Sequence, residues 1–381
     1  MVRRQSGFSM IELMVGIVIA IVVVTIVMQA LAVFENQKRI TTSGSDSDIN
    51  GAIALFQIER DTKMAGFGML SPNGLLCPLG INIYYNGITI SDPGATPAPA
   101  PLSPIRIVDG ASGGPDSIQT AGSNATYGLA PITIVKNMPN ASSIVTASAP
   151  GSIQQGDMFL AGAPDGSKIC TLMQASQNPQ TTGNGWNLQH NPSYVWNPSN
   201  PNNVFTVAPT YVVGDVIETM GNFNISTYAV QCSDNAAPSD SNQCDLIRYN
   251  PITAGTPINW ANVNLSHVAT GIVDLQAQYG IAAAGDTTGT VTAWVDATGS
   301  TWAAPSAADV LRIKAIRVAI VARASKYERT AVSPSTLVLW PDTTSPAGTQ
   351  KTTTLSASQQ HYRYKVYYQV IPLINMIWAN V

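Results

Sequence analysis

Residues 7–28 read GFSMIELMVGIVIAIVVVTIVM, and the rest of the chain is organised around this stretch. From Phe8 to Met28 it is apolar except for Ser9, Glu12 and Thr25, with two small positions, Gly16 and Ala20. At about 1.5 Å per residue a helix over it spans roughly 30 Å, the thickness of one hydrocarbon core. MVRRQSG precedes it, and Arg3 and Arg4 hold that end on the cytoplasmic side, so the remainder lies across the membrane. A secretory signal would have a shorter apolar core closed by a small-residue cleavage site, whereas here Ala20 leads into a further valine-rich run. An uncleaved single-span anchor has the same hydropathy. Glu12 separates the two readings. A carboxylate in a spanning helix costs about 2–3 kcal/mol, less near the interface. A plain anchor has no use for it, but a helix that later packs against others does, because a neighbour can supply the opposite charge.

Beyond the span the helix pattern continues through ALFQIERDTKM to about residue 65. Ile49, Ile53, Phe56, Arg60 and Met64 recur every three or four residues, a partial apolar stripe expected to lie under a sheet. Gly44 within SGSDS weakens the run by about 1 kcal/mol relative to alanine, and Asp48 is suited to cap a restarted helix. A bend or loosening is therefore expected at 43–47. The rest reads as mainly β. IRIVD (105–109), PITIVK (131–136), DMFLA (157–161), KICTLM (168–173), FTVAPTYVVGDVIETM (205–220) and ISTYAV (225–230) are strand-like runs between turn signals. SDPGATPAPAPLSP (91–104) reads as an extended linker and NPSYVWNPSNPNN (191–203) as an irregular loop. Along GIVDLQAQYGI (271–281), Val273, Leu275, Ala277 and Tyr279 alternate with Asp274, Gln276 and Gln278, the pattern of a half-buried strand. The fold class is α+β: a long N-terminal helix packed on a β-rich body.

The sequence GFSMIELMVGIVIA resembles the class III signal of type IV prepilins: a basic leader, Gly7, aromatic Phe8, and a glutamate at the fifth position after the cut. The resemblance implies that a prepilin peptidase cuts after Gly7 and methylates the amine of Phe8. It also implies that Glu12 pairs with the N-terminal amine of a neighbouring pilin during assembly. In related tip complexes the outermost subunit commonly lacks this glutamate, so Glu12 argues against the very tip. ALFQIERDTKMAGFG (54–68), GIVDLQAQYGI (271–281), RIKAIRVAIVARAS (312–325) and YRYKVYYQVIPLIN (362–375) together resemble the PilW-type minor pilins. Relatives commonly carry a basic residue before the last asparagine of this set; here Ile374 precedes Asn375. The layout implied is a leader (1–7), a membrane and polymerisation helix (8–28), its amphipathic continuation (29–66) and a periplasmic β-rich body (67–381) with a β-rich insertion over about 90–245. The expected role is a minor pilin of a priming complex near the pilus tip, initiating assembly and carrying or supporting a large tip adhesin. Expected partners are prepilin peptidase, other minor pilins, the major pilin and the inner membrane. A J-type pseudopilin of type II secretion and a membrane-anchored surface adhesin or enzyme are the alternatives.

Composition narrows the chemistry. The 381 residues carry 19 Lys plus Arg against 22 Asp plus Glu, a formal charge of -3, and losing Arg3 and Arg4 with the leader takes it to -5. No nucleic-acid partner is expected from that balance. The Arg363, Lys365 and Tyr367 strand face reads as solvated or as an interface rather than as a DNA contact. Three histidines, far apart, and no CxxC pair argue against zinc, and no cofactor is expected. Four cysteines in an exported body favour disulfides, with three pairings available. Cys232 with Cys244 closes a short polar loop and is favoured, leaving Cys77 with Cys170. Gly110, Ser112 and Gly114 form a G-x-S-x-G match, but Pro115 and the non-helical continuation make it a polar turn rather than a hydrolase elbow. Asp234, Asp240 and Asp245 lack calcium-loop spacing. Trp186, Tyr194 and Trp196 are expected in loops.

Overall fold

The computed structural model describes residues 9–71, 74–91, 103–125, 131–140, 142–148, 150, 153–192, 194–232, 243–254, 265–286 and 288–378. One α-helix runs from Met10 to Met64, about 80 Å at the usual rise. It stays helical through 43–47, where a loosening was expected. Two contacts account for this. The Ser47 hydroxyl donates to the Gly44 carbonyl (2.9 Å), and the Ser43 hydroxyl meets that of Ser325 on the body (3.1 Å). Tertiary docking thus outweighs the modest propensity cost of Gly44.

The helix lies on a six-stranded sheet whose central pair is Ile272–Ile281 and Ile313–Arg323, with Tyr364–Pro372 at the edge against the helix. Both central strands are buried on both faces except at Arg323. The half-buried reading of 271–281 is therefore corrected. Its polar face is covered too, by hydrogen bonding. Gln276 Nε2 donates to Asp274 Oδ1 (2.9 Å), Thr353 donates to Asp274 Oδ2 (2.7 Å), and Gln278 Nε2 donates to Asp296 (2.7 Å). Ala54 and Ile58 of the helix join Ile316, Val318 and Ile320 in the main apolar core.

A five-stranded antiparallel sheet packs beside it, in the order Ser266–Thr270, Cys244–Tyr249, Asn224–Cys232, Ser117–Gly122, Ile105–Val108. Cys232 and Cys244 are register partners on adjacent strands and are disulfide-bonded. A nine-stranded sheet is built wholly from residues between Ile81 and Gly221. The Cys77–Cys170 disulfide joins its Cys170–Gln174 strand to the segment entering Ile81–Tyr85. The 205–220 run is a strand only from Val216. Ahead of it Asp215 folds back, accepting from the Val212 N–H (2.7 Å) and from Lys168 (2.5 Å), with Gly214 at φ +97. The carboxylate and the glycine make a turn that the apolar composition conceals. Trp186 lies on the Gly185–Gln189 strand rather than in a loop, and Trp196 packs against Tyr85 with ring centroids 4.8 Å apart. The linker expected at 91–104 lies, for residues 92–102, outside the described residues, as do Asp234 and Asp240.

Candidate functional site

Three features of the long helix make up the site: a bare apolar half, a seat on the body, and an uncovered stripe on the face opposite the seat. From Met10 to Phe34 the large apolar side chains are all exposed, and Glu12 is the sole charged side chain among them. Glu12 Oε2 accepts from the Ser9 backbone N–H at 3.4 Å, half of a capping box at the helix start. In the single chain the carboxylate is thus held by its own helix's free N–H groups and their positive end. Gly7 and Phe8 lie outside the described residues.

Apart from Ile58, the seat is made of small residues. Ser43, Ser47, Gly51, Ala54, Ile58, Thr62 and Ala65 form the buried face. The expected stripe is the opposite one: Ile49 is 56%, Ile53 42% and Phe56 59% exposed, and Arg60 and Met64 are exposed too. The sheet comes too close for large side chains. A Cβ on Gly51 would sit 2.2 Å from Tyr367 Cε2. That ring is held where it is, because the Tyr367 hydroxyl donates to the Asp48 carbonyl (2.9 Å). Gly51→Leu therefore should unseat this part of the helix. It is expected to cost about 2 kcal/mol net, overpacking of ~1–3 outweighing the gain in helix propensity. Guanidinium unfolding of the full chain in detergent measures it; a midpoint equal to wild type would show that the close approach is absent.

Polar groups pin the seat at both ends. Lys365 Nζ lies 3.0 Å from Asp48 Oδ1, and the resulting hydrogen bond and charge hold the Asp48 carboxyl below its usual range. Arg363 is engaged by Glu328 (Nε–Oε1 2.6 Å). The basic face of the last strand is thus spent on intramolecular pairs. Near the helix end, buried Asp61 accepts from Tyr228 Oη (2.6 Å) and from Arg60 Nε (3.1 Å), and pairs with Arg248 Nη2 at 3.0 Å. Tyr228 belongs to the five-stranded sheet, so this group ties helix and second sheet together. Asn375 Nδ2 donates to the Ala65 carbonyl (2.9 Å) and the Met64 carbonyl (3.4 Å), satisfying acceptors left over at the helix terminus. Its neighbour Ile374 is 43% exposed. Asp61 and Asn375 went unassigned in the sequence. The clue to Asp61 was a buried-face carboxylate one turn before the helix end.

The Gly110–Gly114 stretch is a short 3-10 turn, with Ser112 at φ 56, and not a strand-to-helix elbow. Asp116 just beyond it accepts from the Gly110 and Ala277 N–H groups (2.9 and 2.8 Å), fastening the turn to the central strand. Burial pushes its carboxyl up to about 7. Ser112, Asp274, Arg323, Thr353 and Tyr364 line a cavity of about 320 Å³ there. Asp245 pairs with His267 Nδ1 (3.2 Å), and no cluster of metal-binding side chains occurs among the described residues.

Residues 2–28 match the prokaryotic N-terminal methylation motif, and residues 227–375 match type IV pilus-assembly protein W. No curated protein and no solved structure matches the chain. A methylation motif opening into a bare apolar helix, seated on a β-rich body, defines a type IV pilin-like protein, anchored in the inner membrane and later incorporated into a pilus. Within that class, the match of residues 227–375 to type IV pilus-assembly protein W, taken with the N-terminal motif, supports a pilin-like minor pilin. That match covers the Cys232–Cys244 strands, the central sheet and the Asn375 cap, but stops short of the nine-stranded sheet. Domains of this family are structural rather than catalytic.

Proposed function

We propose that this chain is a structural, non-catalytic subunit of the priming complex that starts pilus assembly near the tip, supporting a large adhesin there. Prepilin peptidase cuts after Gly7 and methylates Phe8. The chain then waits in the inner membrane with Glu12 capped only by its own helix start. A neighbouring pilin's N-terminal amine offers Glu12 a full opposite charge, which relieves the cost of a carboxylate in the bilayer and sets the axial register. Residues of about 90–245, largely the nine-stranded sheet, are an insertion facing other minor pilins. One observation supports the reading most: Ile49, Ile53, Phe56 and Met64 stay exposed along the helix far beyond the span, while the seat, Ile58 apart, is filled by small side chains. A helix built only as an anchor would bury its large residues against its own body.

Glu12→Ala should leave membrane insertion intact and lower recovery of the chain in sheared pili by at least about tenfold, which needs only ~1.4 kcal/mol of lost pairing. Immunoblots of pilus and membrane fractions read both quantities. Recovery at wild-type level would refute the register role.

A further inference from the structure

Tyr364–Pro372 is the outermost strand of the six-stranded sheet, and among the described residues it pairs with Ile313–Arg323 alone. Two bonds fix which way its backbone faces. The Ala324 N–H donates to the Arg363 carbonyl (2.9 Å) and the Leu373 N–H to the Lys314 carbonyl (2.8 Å), and the register between them is unbroken. Odd-numbered residues of the strand therefore bond inward, and the N–H and C=O groups of Val366, Tyr368 and Val370 point away from the sheet. None of these groups finds a partner among the described residues. Pro372 takes the next outward position and has no N–H to offer, so the open stretch ends there.

The side chains define what a strand added to this edge would meet. Those of Val366, Tyr368 and Val370 lie on the face away from the long helix. Val366 packs against the cluster of Leu337, Leu339 and Trp340, and the Tyr368 ring centroid is 6.3 Å from that of Trp340. Tyr368 and Val370 stay 42% and 43% exposed. On the helix side stand Lys365, Tyr367 and Gln369. The charges there are already matched, Lys365 by Asp48 and, beside Gln369, Glu59 by Lys63. The strand runs in the same general direction as the helix, since Tyr367 meets Asp48 and, further on, Asn375 meets Ala65. A second copy bonded antiparallel to this edge would point its own helix away from the membrane, so the occupant is another chain.

We infer that this edge accepts a strand from a different subunit of the pilus. The donor is an extended segment of about five residues, apolar where it faces Val366, Tyr368 and Val370 and uncharged polar at the alternate positions beside the helix. Main-chain hydrogen bonds hold it, and the exposed apolar side chains set its register. Left open, such an edge is a liability, because it will template pairing with any extended chain. The contact lies on the body, apart from Ile49, Ile53 and Phe56, so it fixes how the body turns towards its neighbour while the helix fixes height. The inference rests on the pilus-subunit reading but not on Glu12 or the tip role.

The test replaces Tyr368, or Phe56 on the helix stripe, by the photo-crosslinking residue p-benzoyl-phenylalanine in the full chain and irradiates sheared pili. Mass spectrometry maps the adducts. The probe at Tyr368 should join a different pilus subunit, within an extended alternating segment. Adding Val370→Pro removes one outward N–H and should lower that adduct by at least about tenfold, whereas Val370→Ala should hold it within about threefold. Both variants should unfold at the same denaturant midpoint in detergent, because that N–H bonds nothing within the chain, and both should keep the Phe56 adduct. A Tyr368 adduct to a second copy or back to the same chain, equal yields from proline and alanine, or a lower midpoint for proline alone overturns the inference. So does a missing Tyr368 adduct while the Phe56 adduct forms. Loss of both adducts would overturn the subunit reading itself, a separate failure.

Discussion

Arg317→Ala should cost the body about 4 kcal/mol. Arg317 lies mid-strand in the central sheet, fully buried, between the rings of Trp294 (5.1 Å) and Trp340 (4.7 Å). Its Nε donates to Gln278 Oε1 (2.7 Å) and its Nη2 to the Thr349 carbonyl (3.1 Å). Hydrogen bonds from a charged donor contribute ~1.5–3 kcal/mol each and a desolvated cation–π contact about 2, not additively. Alanine also leaves a cavity between two indoles. The loss should fall on the attachment of the 340–349 segment to the sheet, since the Trp340 indole N–H donates to the same Thr349 carbonyl. Arg317→Met separates charge from volume: it should recover about half of the loss. Denaturant midpoints of the three proteins decide, and a methionine variant as stable as wild type would mean that the charge contributes nothing.

Glu218→Gln should be more stable than wild type at pH 8 by about 3 kcal/mol, with the gap closing towards pH 5. Glu218 is 3% exposed in the middle of the nine-stranded sheet. Strand alternation puts it on the face of Val216 and Met220, against an apolar cluster that includes Leu160. Its Oε2 is buried without a hydrogen-bond partner among the described residues. Burial pushes its carboxyl up to about 8, from 4.5. The folded state therefore holds the proton more tightly than the unfolded chain, and stability falls as pH rises from about 5 to 8 at up to ~1.4 kcal/mol per unit. Asp116, raised to about 7, adds a slope of the same sign. The difference between variant and wild-type curves isolates Glu218. Parallel curves would show that Glu218 is ionised or paired in the fold.

The membrane helix was legible because one physical quantity, apolar length, decides it. Of the two central strands, Ile272–Ile281 was legible from alternation, but its burial was not. Asp274, Gln276 and Gln278 look solvated in sequence because their partners (Thr353 for Asp274, the Gly114 carbonyl for Gln276, Arg317 and Asp296 for Gln278) lie elsewhere in the chain. The seat was read backwards for a related reason. Periodicity assigns the largest apolar residues to the core, but Ser43, Ser47, Gly51 and Ala54 are what a sheet at close approach selects. Ile49, Ile53 and Phe56 were then free for another role. The same Gly44 that suggested a loosening belongs to this small-residue region. The strand expected from 205 failed at Asp215, whose turn depends on Lys168 in the bend ahead of the Cys170–Gln174 strand.

What the exposed stripe is for can be measured on one double variant, Ile53→Glu/Phe56→Glu, against wild type. Exposed substitutions away from the seat should change the unfolding free energy by no more than about 0.5 kcal/mol each. The same change should reduce recovery in pili by at least about tenfold, because it puts two carboxylates where neighbouring helices pack. Normal folding with lost incorporation is the expected pair of results. Normal incorporation, or a body that unfolds when the stripe is charged, would contradict the view that this face is kept for other subunits.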